Sequence, residues 1–255
     1  MKISFLGTGT SQGVPVIACQ CKVCKSTDSL DKRLRSSVLI EINQKNILID
    51  AGPDFRQQML REDVRKLDAI LLTHDHKDHI GGLDDIRAFN FLQKKPTDIY
   101  AEKRVINTIK TKEFTYVFFE KKYPGVPEMN LIEIDESPFF IDDLIINPIR
   151  GMHLKLPVLG FRIHDFCYIT DMNFISTNEK KKIIGTKILV LNALRKEKHI
   201  SHFTLSKALK IIEEIKPEKA FLTHMSHSMG LHSEVQKELP SNVFLAFDGL
   251  NFSFD

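Results

Sequence analysis

The sequence predicts an α/β fold in which layers of β-sheet are covered by helices. Three observations carry this prediction. Short apolar runs alternate with glycine-rich corners in the first half, strands return from residue 131 onward, and helical patterns accompany the strands of both halves. The chain shows no repeat at a fixed period, no low-complexity segment and no linker-like stretch, so residues 1–255 are predicted to form a single domain.

In the first half, apolar runs bounded by turn residues predict strands over 2–6, 37–42, 46–49, 68–72 and 98–101. Residues 43–45 join the second and third of these strands, and we expect a hairpin there. Helical spacing predicts helices over 53–66 and 102–112. In the first helix Phe55, Met59 and Val64 are expected to face inward.

In the second half, apolar runs predict strands over 131–134, 144–149, 160–163, 167–169, 188–191, 220–222 and 243–246, with 251–253 as a last edge. One helix is expected over 205–215. The aromatic stretch 116–119 would cover either the core or the surface of a homodimer, and both alternatives remain open.

The composition is that of a globular protein in water, with 42% hydrophobic and 27% charged residues. A formal net charge of +3 gives no strong nucleic-acid footprint. The lysine runs at 121–122 and 180–182 are expected to be solvated. No apolar run reaches membrane-spanning length and no signal peptide opens the chain, so we expect no membrane partner and a cytoplasmic location.

The motif that carries the chemistry places four ligand-type side chains within six residues: His74, His76, Asp78 and His79. Two histidines separated by one residue point the same way from an extended segment. The aspartate and third histidine, in the turn that follows, reach a second point nearby. The pattern therefore predicts a site for two divalent metal ions rather than one, and a metal-dependent hydrolase.

A second cluster, Cys19-x-Cys21-x-x-Cys24, offers three thiolates in one loop. Clustered cysteines in a reducing compartment indicate metal rather than a disulfide. Three cysteines are one ligand short of the four that a tetrahedral structural zinc site needs. Cys167 lies in an apolar strand and is better explained as a core residue. We therefore predict a structural Cys3His zinc site with His227 as fourth ligand, against the alternative of three unrelated free thiols.

The main motif is preceded by Ala69-Ile70-Leu71-Leu72-Thr73 and by Ile49-Asp50-Ala51-Gly52, and in this setting it resembles the metallo-β-lactamase superfamily. The resemblance implies an αββα sandwich of two mixed sheets flanked by helices, with the metals at one edge. It also implies further ligands, which stand here in the expected order: His153, Asp171 and His224.

The same resemblance assigns each metal its ligands. One metal would take His74, His76 and His153, while the other would take Asp78, His79 and His224, with Asp171 as the bridge. Asp50 is expected to accept a hydrogen bond from a ligand imidazole. The donor types suit zinc, manganese or iron.

Further motifs resemble one subgroup, the PhnP-like phosphodiesterases, named for the enzyme of the carbon–phosphorus lyase pathway that opens a phosphoribosyl 1,2-cyclic phosphate. These motifs are residues 7–15, the three cysteines, residues 33–37 and residues 223–227. The resemblance covers essentially the whole chain. It implies a phosphodiesterase in which a metal-bridging hydroxide attacks the phosphorus of a small cyclic or nucleotide-like phosphodiester, with Asp78 orienting the hydroxide.

His202 resembles the catalytic histidine of that subgroup, and we expect it to protonate the leaving alkoxide. His199 is its local competitor. Thr8, Ser11 and Arg35 would line a phosphate pocket, although Arg35 could equally tie loops together.

Three other functions remain open. A transfer-RNA 3′-end endonuclease shares the ligands, but no Gly/Pro-rich arm stands between the bridging aspartate and the final histidine. Thioester or lactam hydrolases of the same fold lack the cysteine loop and the element around His202. An inactive scaffold would have lost ligands, whereas all the expected ones are present here.

Overall fold

The structure is a computed structural model that describes residues 1–120 and 123–254, so the lysines at 121–122 lie outside the described residues. The chain forms two compact units. The first unit comprises Met1–Gly7, Arg35–Asp135 and Gly249–Asp255, and the second comprises Thr8–Leu34 and Glu136–Asp248. The prediction of a single domain stays a prediction.

The strands are, in chain order, β1 Lys2–Gly7, β2 Ser37–Ile42, β3 Lys45–Ile49, β4 Ala69–Leu71, β5 Thr97–Glu102, β6 Met129–Ile134, β7 Phe139–Ile141, β8 Leu144–His153, β9 Leu156–Ile163, β10 Phe166–Ile169, β11 Phe174–Ile175, β12 Ile188–Asn192, β13 Lys219–Thr223, β14 Val243–Leu245 and β15 Asn251–Ser253. The α-helices are α1 Phe55–Arg61, α2 Lys77–Ile80, α3 Arg87–Gln93, α4 Lys103–Thr108, α5 Thr177–Ile183, α6 Leu205–Ile215 and α7 His232–Val235. A π-helical turn, Ile109–Glu113, continues α4.

The first unit holds a mixed sheet with strand order β15-β1-β2-β3-β4-β5-β6. Its first four strands pair antiparallel, and β3 to β6 pair parallel. Phe55 and Met59 of α1 pack with the buried residues of this unit, as predicted, and Val64 packs against them. Within the aromatic stretch Val117 is buried in the same cluster while Phe119 is 58% exposed. The homodimer stays a prediction.

The second unit holds another mixed sheet, in the order β11-β8-β9-β10-β12-β13-β14, with β7 paired to β8. Strands β10, β12, β13 and β14 run parallel, and β8, β9 and β10 run antiparallel. Helix α6 coincides with its predicted range. It begins at the cap Thr204, whose side chain accepts the backbone N–H of Lys207, and buries one face against the sheet.

Two predicted boundaries are wrong for identifiable reasons. Helix α1 covers seven residues rather than 53–66, since Asp63 takes a positive φ of 49° soon after its end. Strand β8 runs to His153 rather than ending at residue 149, because Pro148 lies between the stretches that pair with β7 and with β11. Because Pro148 pairs with neither β7 nor β11, its missing N–H removes no hydrogen bond on that edge of β8. The strands β7 and β11 and the helices α3 and α5 were not predicted.

Among the described helices, none is long and apolar enough to cross a membrane.

Candidate metal centre

In the first unit, buried strand β4 delivers the histidine motif at its carboxyl end. His74 is fully buried, His76 is exposed, and Asp78 and His79 lie on the short helix α2. The ring centroid of His74 lies 4.6 Å from that of His76 and 4.2 Å from that of His79. Nε2 of His79 lies 3.2 Å from Oδ2 of Asp78. The fold thus gathers all four motif residues at one place.

A buried carboxylate orients two of these imidazoles. Asp50 Oδ2 accepts from Nδ1 of His79 at 2.6 Å, while Thr73 donates to Asp50 from both its backbone N–H and its hydroxyl, each at 2.9 Å. Because the Thr73 hydroxyl donates to Asp50, it accepts from Nδ1 of His74, 2.9 Å away. Both Nδ1 atoms therefore carry protons, so Nε2 of each ring is the nitrogen that could bind a metal ion. The predicted hydrogen bond from a motif imidazole to Asp50 is confirmed.

Burial raises the pKa of Asp50, and the contacts with His79 and Thr73 act in the opposite direction. Its backbone lies in the left-handed region, with φ of 64°, directly after β3. Next to it, a Cβ on Gly52 would come within 2.1 Å of the carbonyl oxygen of Asp78. Only glycine admits this close approach, which brings the loop carrying Asp50 against α2.

In the second unit, Asp171 and His224 follow the parallel strands β10 and β13. Oδ1 of Asp171 lies 2.7 Å from Nδ1 of His224, and both side chains are buried. Both backbones are left-handed, with φ of 55° and 57°. Non-glycine residues rarely adopt this conformation, and it concentrates at functional sites.

His153, the last residue of β8, joins this group through the loop before α6. Its Nδ1 lies 2.9 Å from the carbonyl oxygen of Ser201, which only accepts, so Nδ1 donates and Nε2 is the nitrogen that could bind a metal ion. The ring centroid of His153 lies 4.5 Å from that of His202.

His202 lies against the three predicted ligands of the second unit. Its ring stacks on His224 at a centroid distance of 5.0 Å, and its Nε2 lies 3.7 Å from Oδ1 of Asp171. The backbone N–H of Phe203 donates to the carbonyl oxygen of Met172, which fixes this loop beside Asp171. The competitor His199 contacts His202, with the two Nδ1 atoms 3.2 Å apart.

The cysteine cluster also lies in the second unit. One ligand atom from each of Cys19, Cys21, Cys24 and His227 lies within 4.8 Å of all the others. Nδ1 of His227 lies 3.2, 3.5 and 3.4 Å from the three sulfurs in chain order. A tetrahedral zinc site, with bonds of about 2.3 Å to sulfur and 2.0 Å to nitrogen, separates sulfur from nitrogen by about 3.5 Å. The donor set therefore fits zinc in kind and in spacing.

The surroundings of the cysteines give their thiols different pKa values. The backbone N–H of Cys24 donates to the sulfur of Cys21, and with the neighbouring cysteines and His227 it lowers the pKa of Cys21 to about 6. Burial raises the pKa of Cys24 to about 11 and that of Cys167 to about 12. Cys167 is fully buried on β10, which confirms its interpretation as a core residue.

Two residues considered for a phosphate pocket are engaged elsewhere. The fully buried Thr8 donates its hydroxyl to Asp248 at 2.8 Å and accepts from the buried Arg33 at the same distance. Arg35 pairs with Asp54, its Nε 3.1 Å from the carboxylate, so it ties loops together. The expectation that the Thr8 hydroxyl faces a phosphate is wrong. A buried arginine network, which sequence reasoning missed, uses it instead.

Comparison with known proteins shows which family the chain is similar to. A family model described as a β-lactamase superfamily domain matches residues 45–225. A solved structure described as a new diphosphatase from the PhnP family is 35% identical, with a TM-score of 0.93, over 100% of this chain and 98% of that one. The resemblance to the superfamily and to PhnP-like proteins is confirmed, as is the α/β fold class with two mixed sheets and flanking helices.

Two curated relatives carry different names. A protein of Porphyromonas gingivalis named octanoyltransferase is 41% identical over 100% of this chain and 52% of its own length. A ribonuclease Z of Bacillus licheniformis is 27% identical over 65% of this chain and 49% of its own length. The chain thus spans about half the length of these two relatives.

Proposed function

This chain belongs to the β-lactamase superfamily, and we propose that it is a metal-dependent phosphodiesterase acting on a small cyclic or nucleotide-like phosphodiester. The observation that carries the proposal is the position of His202. It is a proton donor in type, it is none of the proposed ligands, and its Nε2 lies 3.7 Å from Asp171. A proton donor beside a metal centre is what cleavage of an alkyl or sugar phosphoester needs, since the departing alkoxide is strongly basic.

The proposed ligands of two divalent ions, zinc or manganese, are imidazoles and carboxylates. The donor set suits such ions, and hydrogen bonds at Nδ1 of His74, His79 and His153 leave Nε2 as the ligand atom. When bound, such ions act as Lewis acids toward phosphoryl oxygens and lower the pKa of water. The full proposed set is His74, His76, Asp78, His79, His153, Asp171 and His224.

The residues of the chain divide the remaining work. Asp50 and Thr73 hold two imidazoles in the ligating tautomer. Asp78 is proposed to orient the attacking water. His202 is proposed to give the proton on Nε2 to the leaving oxygen as the phosphorus–oxygen bond breaks, and it returns to its starting state by taking a proton from solvent.

The test compares wild type with His202→Ala on metal-replete protein. The variant should turn over a phosphodiester with a basic alkoxide leaving group about two orders of magnitude more slowly. His164→Asn is the matched control, because His164 is exposed at a turn with φ of 50°, which asparagine tolerates. Equal turnover by His202→Ala and wild type would reject His202 as the acid.

A second candidate function is hydrolysis of an acyl thioester, favoured by the name of the 41% identical relative, octanoyltransferase. A substrate panel separates the candidates. It contains a ribosyl cyclic phosphate, a dinucleoside diphosphate, a linear phosphodiester, a precursor transfer RNA and an octanoyl thioester. Hydrolysis of the thioester with none of the phosphodiesters would replace the phosphodiesterase proposal.

A further inference from the structure

The ring of His202 is held by a chain of contacts that reaches Ser201 and His199. Nδ1 of His202 lies 3.0 Å from the hydroxyl of Ser201 and 3.2 Å from Nδ1 of His199. The same nitrogen of His199 lies 3.3 Å from the Ser201 hydroxyl and 3.3 Å from the Ser201 backbone nitrogen. Three side chains and one backbone amide therefore meet around two ring nitrogens.

The backbone amide decides the direction of these bonds. An N–H group only donates, so Nδ1 of His199 accepts from Ser201 and carries no proton. If Nδ1 of His202 also lacked a proton, two lone pairs would face each other across 3.2 Å. A proton on Nδ1 of His202 removes this repulsion. It points to the oxygen of the Ser201 hydroxyl, and the hydroxyl in turn donates to Nδ1 of His199.

The surroundings of His199 favour the same arrangement. Burial lowers the pKa of His199, and His202 and Arg195 lower it further, which keeps its ring neutral near pH 7. The backbone of the segment is held on both sides, since the Ser201 carbonyl accepts from His153 and the Phe203 amide donates to Met172. The acceptor that faces His202 is thus rigid as well as neutral.

We propose that Ser201 and His199 are positioning residues that hold His202 in the tautomer with a proton on Nδ1 and with Nε2 turned to Asp171. This inference rests on the proposed role of His202 as the acid. The acid form of His202 is the imidazolium, which carries protons on both ring nitrogens. When it gives the Nε2 proton to the leaving oxygen, the proton on Nδ1 stays in place and the ring becomes neutral. The neutral ring that results is the tautomer that Ser201 and His199 already stabilise, so donation needs no ring flip or second proton shift.

The first measurement is spectroscopic and needs neither substrate nor bound metal. Histidine-labelled wild type should show His202 with the nitrogen shifts of a proton on Nδ1 at neutral pH. Ser201→Ala and His199→Ala should move the shifts toward a mixture of tautomers. His199→Asn should retain the wild-type pattern, because its side-chain oxygen replaces Nδ1 as the acceptor. Wild-type shifts in both alanine variants would overturn the inference.

The second measurement is the dependence of turnover on the leaving group. Methyl phenyl phosphate releases a more basic oxygen than methyl 4-nitrophenyl phosphate, so it depends more on the acid. Ser201→Ala and His199→Ala should slow the phenyl ester about fivefold to tenfold, the loss expected for one hydrogen bond, and the nitrophenyl ester much less. His199→Asn should restore the phenyl ester, and Lys198→Ala, an exposed change in the same loop, serves as control.

The two proposals fail in different ways. If His202→Ala slows both esters equally, His202 is not the acid and the proposed function fails at that residue. If His202→Ala slows the phenyl ester selectively but Ser201→Ala and His199→Ala do not, the result supports His202 as the acid and contradicts the positioning role of Ser201 and His199. Equal slowing of both esters by the alanine variants also contradicts the positioning role.

Discussion

Replacing Asp50 by asparagine changes one atom of the buried hydrogen-bond network and removes one charge. The carboxylate accepts from Thr73 N–H on Oδ1 and from His79 Nδ1 on Oδ2. An asparagine has only one oxygen to serve both. With the oxygen toward Thr73, its NH2 group meets the proton on His79. With the oxygen toward His79, the NH2 group meets the Thr73 amide.

The cost depends on whether metal is bound. In metal-free protein His79 can shift its proton to Nε2 and accept from the new NH2 group, so the fold loses little. In metal-bound protein Nε2 serves as the ligand, so the shift is blocked and a buried donor is left unsatisfied at about 1–3 kcal/mol. The loss therefore falls on metal affinity, which we expect to weaken about 10- to 100-fold, as for other residues that orient metal ligands.

Competition with a chelator of known affinity measures this change. Asp68→Asn is the matched control in the same unit, because it removes an equal charge from a carboxylate that accepts from Asn46 and Lys66 and contacts no histidine. The melting temperature of metal-free Asp50→Asn should stay near that of wild type. Equal metal affinities for the Asp50 and Asp68 variants would refute the orienting role of Asp50.

Two further predictions concern the cysteine cluster. Cys21→Ser should lose one zinc per chain and lower the melting temperature. The control Cys167→Ala should lower the melting temperature and keep the zinc. An unchanged zinc content in Cys21→Ser would contradict the proposed structural zinc site. In zinc-free protein at pH 7, iodoacetamide should label Cys21 well before Cys24, because the pKa of Cys21 is about 6 and that of Cys24 about 11. Only the thiolate reacts, so labelling of Cys21 should slow as the pH falls below about 6, and mass spectrometry that finds Cys24 labelled first would contradict this order.

The donor sets could be predicted from sequence where their members stand close together. The histidine motif occupies six positions, and a helix following a strand brings such neighbours to one point. The residues that orient the imidazoles were harder to predict from the sequence. Thr73 and Ser201 are ordinary residue types beside histidines, and their roles depend on which way a hydroxyl points. The positive φ of Asp50 and Asp171 leaves only a weak sequence signal, because aspartate is enriched in this conformation but adopts it at few positions.

Strand β8 shows how local rules mislead near the site. Gly151 is unfavourable inside strands, and the strand was expected to end at residue 149, two residues before it. A Cβ at Gly151 would lie 2.0 Å from the sulfur of Met172, the residue after Asp171, so the buried methionine side chain would have to shift. This glycine therefore marks the point where β8 packs tightly against the segment that carries Asp171, the proposed bridging residue. The same continuation of the strand delivers His153.

Backbone hydrogen bonds of Met225 connect the segment of His224 to the N-terminal loop that carries the cysteine cluster. Its backbone N–H donates to the Thr8 carbonyl at 2.9 Å, and its carbonyl accepts from Thr10 N–H at 3.0 Å. The Thr10 side chain also contacts Nε2 of His224 at 3.3 Å. His227, two residues after Met225, is held by three cysteines of the same N-terminal loop. A metal held by the cysteine cluster would thus fix both ends of the segment that presents His224.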